Sequence, residues 1–398
     1  MSSLIQKIKK ISLEDWTSFF LLLAAFVPAL IMRIREKHIW CIVERVDSAD
    51  DNGWYFYQWI KKHHPERHVY FLLGKNAEQF DINDKTMIAW RSFRHYIIYL
   101  ASDIHIKTIF MSPTPSRVCS YFEKFCRKNL KTIYLRHGIS KDGVEMHCYS
   151  YLKVRLFICG AEPEYNFFLE KGGYPNGYLA YTGLARFDDL LDRCRNDRYV
   201  LLLPTWRRYL VDNSLSQEEN EKRIKDSDYF KHYQSLISNS SLIDFLESNS
   251  LKLIVCLHPE FSRFKSLFNN ISKSIIIKNN AEISIHHLLK NTCLLITDYS
   301  SVFFDAAYMH KPIIYYHFDY DEFRKKHLSE GYFSYDKDGM GIIVRDESEL
   351  LRQIEMLYNG ETFDNPIEYI HRCDTFFTKR DKKNNERIYK EIVKVESE

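Results

Sequence analysis

The sequence lacks the short motifs that mark several common enzyme classes. Its 13 glycines form no G-x-x-x-x-G-K-[ST] loop and no G-x-G-x-x-G turn, which argues against a P-loop kinase and a nicotinamide enzyme, and no G-x-S-x-G hydrolase elbow is present. Nine cysteines form no C-x-x-C pair, so neither a disulfide scaffold nor a zinc site is indicated. The balance of 56 basic against 53 acidic residues gives no broad positive charge, so we expect no nucleic-acid partner.

Adjacent histidines occur at two places, His63-His64 and His286-His287, each within a segment of helical pattern. Neighbouring helical positions point their side chains in different directions, so the two rings of a pair cannot share one metal ion. We therefore expect no metal site and no tightly bound cofactor.

The length of 398 residues exceeds one ordinary core, so we expect two domains. Short apolar strands alternate with helical segments, and this order predicts an α/β fold with parallel, doubly wound sheets. The first series of predicted strands is His38–Val46, His68–Leu73, Thr86–Trp90, Ile106–Met111, Lys131–Arg136, Val154–Cys159 and Tyr178–Thr182. The second series is Tyr199–Leu203, Leu251–Leu257, Ser274–Ile277, Leu294–Ile296 and Pro312–Tyr316. Two such series predict two Rossmann-like halves.

The predicted divisions of the chain follow from these two series. An N-terminal segment covers 1–37, the first Rossmann-like domain 38–195, the second 196–370 and a C-terminal helix 371–398, with the charged stretch Asp192–Arg198 at the central boundary. Residues 211–226 are polar and charged and predict a mobile loop or an exposed helix. The charged tail after Arg380 predicts a surface helix with a frayed end.

Residues Trp16 to Met32 carry no charge, and cations flank them on both sides: Lys7, Lys9 and Lys10 before, Arg33, Arg35 and Lys37 after. Ser12 with Asp15 forms a capping box, which predicts a helix start. Seventeen uncharged residues at about 1.5 Å each give roughly 25 Å, marginal against a hydrocarbon core of about 30 Å. We expect a helix that lies in the membrane surface, with a buried core helix and a true span or cleaved signal as the alternatives.

Residues 293–316 predict a buried strand, a polar turn, a helix and a second buried strand. Leu294 to Ile296 is continuously apolar, as in a parallel strand covered on both faces, and Val302 to His310 has helical spacing. Ser300 and Ser301 therefore fall at a predicted helix start, where unpaired N–H groups and two hydroxyls suit a phosphate. The alternative is that Ser300 only caps the helix.

Ligands of open parallel sheets bind beyond the carboxyl ends of the strands, so polar residues there carry weight. The predicted strand ends are followed by His137-Gly138, Gly183 to Arg186, Pro204-Thr205-Trp206-Arg207, His258-Pro259-Glu260 and Asp298 to Ser301. Histidines, arginines and hydroxyls in one cleft favour a phosphorylated, anionic ligand and proton transfer.

Each of these residues also has a structural interpretation. His137 could be a turn histidine, or a base whose neighbour Gly138 lets the backbone approach a ligand. His258 could cap its strand. Arg186 and Arg207 could each be a surface charge, although the fork of Arg207, beside Trp206 at a predicted strand end, would suit phosphate oxygens. Asp305 could interact with the helix dipole or receive hydroxyls of ribose or substrate.

These motifs, in this order, resemble the CDP-glycerol glycerophosphotransferase family, the polymerases and primases of teichoic acids and related capsules. The resemblance covers roughly residues 38 to 390 and depends on His137-Gly138, Gly183 to Arg186, Pro204 to Arg207, His258-Pro259, and Leu295 to Ser301 with Asp305 and Lys311-Pro312. It implies a GT-B fold of two facing Rossmann-like domains, membrane association, and transfer of a polyol phosphate from a CDP-polyol to a hydroxyl.

The resemblance also implies roles for single residues. His137 matches the general base and His258 the second essential histidine near the donor phosphates. The remaining matches imply nucleotide or phosphate contacts, and they are Gly138, Arg186, Pro204, Thr205, Arg207, Asp298, Ser300, Ser301 and Asp305. Arg136 before His137, and Cys256-Leu257 before His258, differ from many wall teichoic acid members and leave the polyol and acceptor open.

The expected enzyme transfers glycerol phosphate or ribitol phosphate from its CDP-polyol to a glycan or lipid-linked acceptor at the cytoplasmic face of the cell membrane, and it releases CMP. A GT-B glycosyltransferase that uses a nucleotide sugar needs the same architecture and is the first alternative. A non-catalytic, membrane-anchored scaffold in capsule assembly is the second.

Overall fold

The computed structural model describes residues 12–45, 49–74, 84–127, 130–192, 198–269, 272–279 and 283–398. Three groups of predicted features lie outside these ranges: Lys7, Lys9 and Lys10, the strand end Val46, and 193–197 of the predicted boundary.

Seven parallel strands form the first sheet, in the order β3-β2-β1-β4-β5-β6-β7. They are β1 Trp40–Val43, β2 Val69–Leu73, β3 Met87–Ala89, β4 Ile104–Lys107, β5 Lys131–Tyr134, β6 Leu156–Cys159 and β7 Leu179–Tyr181. β1, β2, β4 and β6 are buried at every position, which explains why β1, β2 and β6 are continuously apolar instead of alternating, whereas β4 buries His105 and Lys107 as well.

Six parallel strands form the second sheet, in the order β10-β9-β8-β11-β12-β13. They are β8 Tyr199–Leu203, β9 Lys252–Leu257, β10 Ile275–Asn279, β11 Leu294–Thr297, β12 Ile313–Tyr316 and β13 Ile342–Val344. In each sheet the chain order reverses beside the first strand, between β1 and β4 and between β8 and β11. Such reversals open a crevice at the carboxyl ends of the strands, where ligands bind in open α/β sheets.

Helices connect the strands and cover both sheets. In the described residues the α-helices are α1 Leu13–Arg35, α2 Asn52–His63, α3 Phe93–Ala101, α4 Arg117–Cys126, α5 Tyr149–Leu152, α6 Glu162–Lys171, α7 Phe187–Leu190, α8 Gln217–Asp226, α9 Asp228–Ile237, α10 Ser240–Ser248, α11 Ile285–Asn291, α12 Phe303–Tyr308, α13 Tyr320–Lys326, α14 Tyr335–Asp338, α15 Glu347–Leu357, α16 Ile367–Phe376 and α17 Asn384–Ser397. The polar stretch 211–226 thus contains α8, whose surface is largely exposed.

Helix α1 begins at the predicted capping box, where the Ser12 side chain accepts from the Asp15 N–H. Its buried residues are Ser18, Leu22, Ala25 and Ala29, which are mostly small and allow a close approach to α3. Its large apolar side chains point away from the protein: Leu13, Trp16, Phe19, Phe20, Leu23, Phe26, Val27, Leu30, Ile31 and Ile34. This distribution is the reverse of a soluble amphipathic helix, which buries its large apolar residues.

Three features differ from the sequence-based predictions. Strand β4 ends at Lys107 because it pairs with the four residues of β1, and the chain then bends at Thr108–Phe110 instead of continuing to Met111. Strand β13 was not predicted, since three residues give little periodicity. Helix α12 ends at Tyr308, so it is shorter than the predicted Val302–His310.

The tail after Arg380 is not a surface helix. Helix α17 buries Ile388, Ile392 and Val395 in the core of the first sheet, and the Trp40 indole N–H donates to Glu396 at 2.6 Å. The end of the chain therefore returns from the second sheet to complete the first. The domain limits predicted from the sequence, after residues 37, 195 and 370, stay predictions.

Candidate functional site

The predicted polar residues lie at the carboxyl edges of the two sheets. His137 follows β5 and Arg186 follows β7 in the first sheet, whereas Thr205 follows β8, His258 follows β9 and Ser300 follows β11 in the second. Thr205 and Ser300 thus flank the reversal between β8 and β11. The two edges meet at one cleft, since side chains from both of them contact each other.

A buried ion pair joins the two edges. Arg186 Nε lies 2.6 Å from Asp305 Oδ1 and Nη2 lies 3.0 Å from Oδ2, a two-point contact between a residue that follows β7 and helix α12 of the other sheet. Arg186 Nη1 also lies 2.8 Å from Asp51 Oδ1. Burial would lower the pKa of Arg186, but Asp305 and Asp51 outweigh it and raise that pKa, so the guanidinium stays charged.

These contacts change the expectation for Asp305 and Arg186. Both side chains are buried, and both carboxylate oxygens of Asp305 accept hydrogen bonds from Arg186. Asp305 therefore has a partner other than ribose or substrate hydroxyls, and Arg186 presents little of its fork to a phosphate. The pair locks the two sheets together at the base of the cleft.

His137 is the exposed member of this region. Its Nδ1 lies 2.7 Å from Asp51 Oδ2, and its side chain is 59% exposed, so the Nε2 edge is left accessible. Burial would raise the pKa of Asp51, but His137 and Arg186 together lower it, so Asp51 is a carboxylate. An exposed imidazole that is oriented by a partly buried carboxylate has the arrangement of a general base.

Asp51 was missed by sequence reasoning. It directly precedes α2, in the loop that follows β1, and its side chain holds both His137 and Arg186. The sequence feature that could have identified Asp51 is an acidic residue at the carboxyl end of the first strand, beside the point where the strand order reverses.

Gly138 brings the His137 loop close to the second sheet. A Cβ atom at Gly138 would lie 3.7 Å from Arg186 Nη2 and 3.8 Å from Ser301 Oγ. The loops after β5 and β11 thus face each other across a narrow gap. Ser301 is half-buried in this gap, as is Ser300.

His258 lies on the opposite wall, stacked on Trp206 with ring centroids 5.7 Å apart and planes 17° apart. Its Nδ1 accepts the Glu260 backbone N–H at 3.3 Å, so the neutral ring carries its proton on Nε2. Burial, together with the charges of Arg45, His327 and His137, lowers the pKa of His258 to about 4 against the opposing effect of Asp298. His258 is therefore a neutral hydrogen-bond donor near neutral pH.

Arg45 is a second residue that sequence reasoning missed. It lies just after β1, its side chain is exposed, and its charge acts on His258 across the cleft. In the part of the chain that the structure describes it forms no ion pair. Its guanidinium is therefore available to an anion in the cleft.

Arg207 and Asp298 have surroundings different from those expected of phosphate ligands. Both side chains are fully buried, and Arg207 Nη2 lies 2.9 Å from Asp298 Oδ2 while its Nε lies 2.7 Å from Asp319 Oδ2. Asp298 also accepts the Thr205 backbone N–H at 2.9 Å and the Tyr233 hydroxyl at 3.0 Å. The pair therefore fixes the loops after β8 and β11 from beneath.

The loops held by this pair present the remaining predicted residues. Pro204 is buried, and the buried Thr205 Oγ1 has no hydrogen-bond partner within the described residues. Ser300 Oγ accepts the Val302 backbone N–H at 3.3 Å within the turn that precedes α12, and α12 begins at Phe303 without a side-chain cap, so Ser300 is not its N-cap. Among the described residues no cluster of three or more His, Cys, Asp or Glu side chains could hold a metal ion.

Comparison with known proteins adds independent information. The family model described as CDP-glycerol:poly(glycerophosphate) glycerophosphotransferase matches residues 24–151 and 171–394. The minor teichoic acid biosynthesis protein GgaB of Bacillus subtilis is 28% identical over 387 residues, which are 94% of this chain and 42% of that protein. The teichoic acid poly(glycerol phosphate) polymerase of Bacillus subtilis is 23% identical over 238 residues, 58% of this chain and 29% of the polymerase. The chain thus spans less than half the length of these relatives.

The fold also has a known counterpart. The structure of the wall teichoic acid polymerase TagF superposes with a TM-score of 0.67 at 15% identity, over 95% of this chain and 98% of that one. At this identity the similarity concerns the fold alone. It confirms the predicted GT-B arrangement of two parallel-sheet α/β units.

Proposed function

Since the chain belongs to the CDP-glycerol:poly(glycerophosphate) glycerophosphotransferase family, we propose that it transfers glycerol phosphate from CDP-glycerol to a hydroxyl of a teichoic or related glycan acceptor. The acceptor oxygen forms a bond to the phosphorus that carries glycerol. The bond between that phosphorus and the bridging oxygen breaks, and CMP leaves. The observation that carries the proposal is the oriented His137-Asp51 pair, beside which the loops after β5 and β11 face each other across a narrow gap.

In this reaction His137 takes the proton of the acceptor hydroxyl on Nε2. The contact to Asp51 holds Nδ1 as the donor nitrogen and leaves Nε2 unprotonated until the reaction begins. The carboxylate then stabilises the imidazolium that forms. A positioned general base contributes typically about 10² to 10⁴ in rate, and alignment of the reactants supplies much of the rest.

The donor diphosphate binds on the second sheet's side of the cleft. His258 donates from Nε2, Arg45 supplies a cation from the opposite wall, and the hydroxyls of Thr205, Ser300 and Ser301 line the reversal between β8 and β11. A neutral donor such as His258 can hold the leaving CMP oxygen without competing for the acceptor's proton. Arg207 and Asp298 position these groups and do not touch the phosphates.

We place the protein on the membrane surface by means of α1. In the described residues α1 is the one helix long and apolar enough to cross a membrane. It lies along the first unit, however, and pairs Asp15 with Arg117 at one end and Arg33 with Asp103 at the other, at 2.6 Å and 2.8 Å. A helix tied down over its length lies in the interface instead of crossing the membrane. The free cysteines support the cytoplasmic face.

A donor screen tests the proposed function. The purified protein is incubated with a glycerol phosphate-primed acceptor and, in separate reactions, with CDP-glycerol, CDP-ribitol and several UDP- or CMP-sugars, and the released nucleotide is identified by mass spectrometry. CMP release from CDP-glycerol with an equal gain of glycerol phosphate on the acceptor is expected. Turnover of CDP-ribitol in place of CDP-glycerol would identify ribitol phosphate as the transferred group. Turnover of a nucleotide sugar alone would overturn the proposal.

A further inference from the structure

A second cavity lies at the amino edge of the first sheet, opposite the cleft. It has a volume of about 960 Å³ and opens beside the C-terminal end of α1. Its walls come from the last turn of α1, the start of β4, the end of α4 and Glu396 of α17. Nothing in the proposed reaction uses this cavity, and its volume falls in the range of small-molecule sites.

Cations dominate its lining. Arg33, Lys37, Arg127 and Lys131 surround the cavity, against three acidic residues. Arg127 donates to backbone carbonyls of Tyr99 and Ser102, and Lys131 donates to that of Val395. Such bonds satisfy the N–H groups without neutralising the charge.

Two of the three acidic residues form ion pairs with arginine, and the third, Glu36, accepts a hydroxyl. Asp103 lies 2.8 Å from Arg33, Glu396 lies 2.8 Å from Arg67, and Glu36 accepts the Tyr70 hydroxyl at 2.6 Å. The ammonium group of Lys37 is exposed and forms no ion pair or hydrogen bond within the described ranges. The cavity therefore has cationic charge left for an anion.

Two exposed apolar side chains stand near these charges, and one of them, Phe125, lines the cavity. Phe125 at the end of α4 is 68% exposed and Ile34 in the last turn of α1 is 73% exposed. Ile34 continues the row of large apolar side chains that α1 turns away from the protein. A ligand that fits both features has a phosphate head and hydrocarbon chains.

We propose that this cavity binds the glycerophosphate head group of an anionic phospholipid while the exposed face of α1 lies among the acyl chains. Because α1 runs beside the sheet from its carboxyl edge to its amino edge, a lipid held here sets the tilt of the whole unit. The cleft is then held close to the membrane surface. This binding is independent of the proposed transfer reaction.

Binding of water-soluble, short-chain lipids to the full chain tests the proposal. Dihexanoyl phosphatidylglycerol and dihexanoyl phosphatidylcholine are titrated below their micelle concentrations, with wild type, Lys37→Glu and Lys222→Glu. Lys222 is exposed on α8 in the second unit, so its replacement changes the net charge equally. Inorganic phosphate and a short polyprenyl diphosphate are added as competitors.

The expected result is saturable binding of phosphatidylglycerol that weakens at least about fivefold in Lys37→Glu and is unchanged in Lys222→Glu, with phosphatidylcholine binding more weakly. Equal binding of the two lipids, or of wild type and Lys37→Glu, would overturn the proposal. Stronger binding of phosphate or polyprenyl diphosphate would overturn the phospholipid assignment. Glycerol phosphate transfer to a soluble acceptor is measured on the same variants, so a failure of either proposal is seen separately.

Discussion

The imidazole of His137 and the carboxylate of Asp51 lie 2.7 Å apart, although the two residues come from different crossover units of the first sheet. Asp51 follows β1 and His137 follows β5, and β4 separates those strands. The loop after each strand reaches over β4 to make this contact. Asp51 therefore fixes which edge of the exposed ring remains free.

Replacing Asp51 with Asn tests the positioning role of this acid. The amide cannot stabilise the imidazolium, so kcat falls about tenfold or more while KM for CDP-glycerol stays within about twofold. Asp50→Asn is the matched control, since Asp50 contacts Ser284 and Tyr55 instead of His137. An unchanged kcat in Asp51→Asn, or an equal loss in both variants, would argue against the role.

Arg207 and Arg45 are expected to respond in opposite ways. Removing Arg207 leaves Asp298 and Asp319 buried without their cation, so Arg207→Met lowers the free energy of unfolding by about 3–5 kcal/mol. Arg45→Met leaves stability within about 0.5 kcal/mol and raises KM for the donor. Urea unfolding and steady-state kinetics on both variants check this. If Arg207→Met is as stable as wild type and has a raised KM for the donor, Arg207 contacts the donor phosphates instead of supporting the loops.

The stability of the protein depends on pH through His95. Its Nδ1 accepts the Arg91 backbone N–H at 3.0 Å and its Nε2 donates to the Pro113 carbonyl at 2.8 Å, so the neutral ring is fully satisfied. Burial lowers the pKa of His95 to about 4. In the unfolded chain this ring takes up a proton below about pH 6.5, so its contribution to stability is present above that pH and is lost as the pH falls toward 4.

Urea unfolding at about pH 7.5 and about pH 5 measures this contribution. The free energy of unfolding of wild type is expected to fall by about 2 kcal/mol more than that of His95→Gln. His371→Gln, at an exposed position of α16, should follow wild type. Identical pH dependence in wild type and His95→Gln would contradict the neutral, buried state of this ring.

The exposed face of α1 is expected to carry membrane binding. Leu23→Glu and Leu30→Glu each remove an apolar side chain that points away from the protein, so vesicle binding weakens about tenfold or more with no change in melting temperature. Met356→Glu, at an exposed apolar position of α15, serves as the control. Co-sedimentation with vesicles measures the effect. Loss of folding in both α1 variants with retained vesicle binding would assign α1 to the core instead.

Local pattern was sufficient for most strands and for the polar residues that follow them. Continuous apolar runs located most strands, and the polar residues after them lie at one cleft because parallel strands all end at the same edge. Asp51 was not recognised, because its contact with His137 depends on strand order, which no local pattern contains. The burial of Arg207 could not be predicted from the sequence either, because its partner Asp319 comes from the loop before α13, far away in the chain. The amphipathic pattern of α17 is visible, but its packing partner, the first sheet, lies far away in the chain.

The rate of CMP release from CDP-glycerol by His137→Ala tests the central claim most directly. The ring is largely exposed, so the variant should fold as wild type does, and His287→Ala, exposed on α11, is its control. With acceptor present, His137→Ala is expected to release CMP at least about a hundredfold more slowly than wild type and His287→Ala. Release of CMP at the wild-type rate, with equal transfer of glycerol phosphate, would contradict the assignment of His137 as the base.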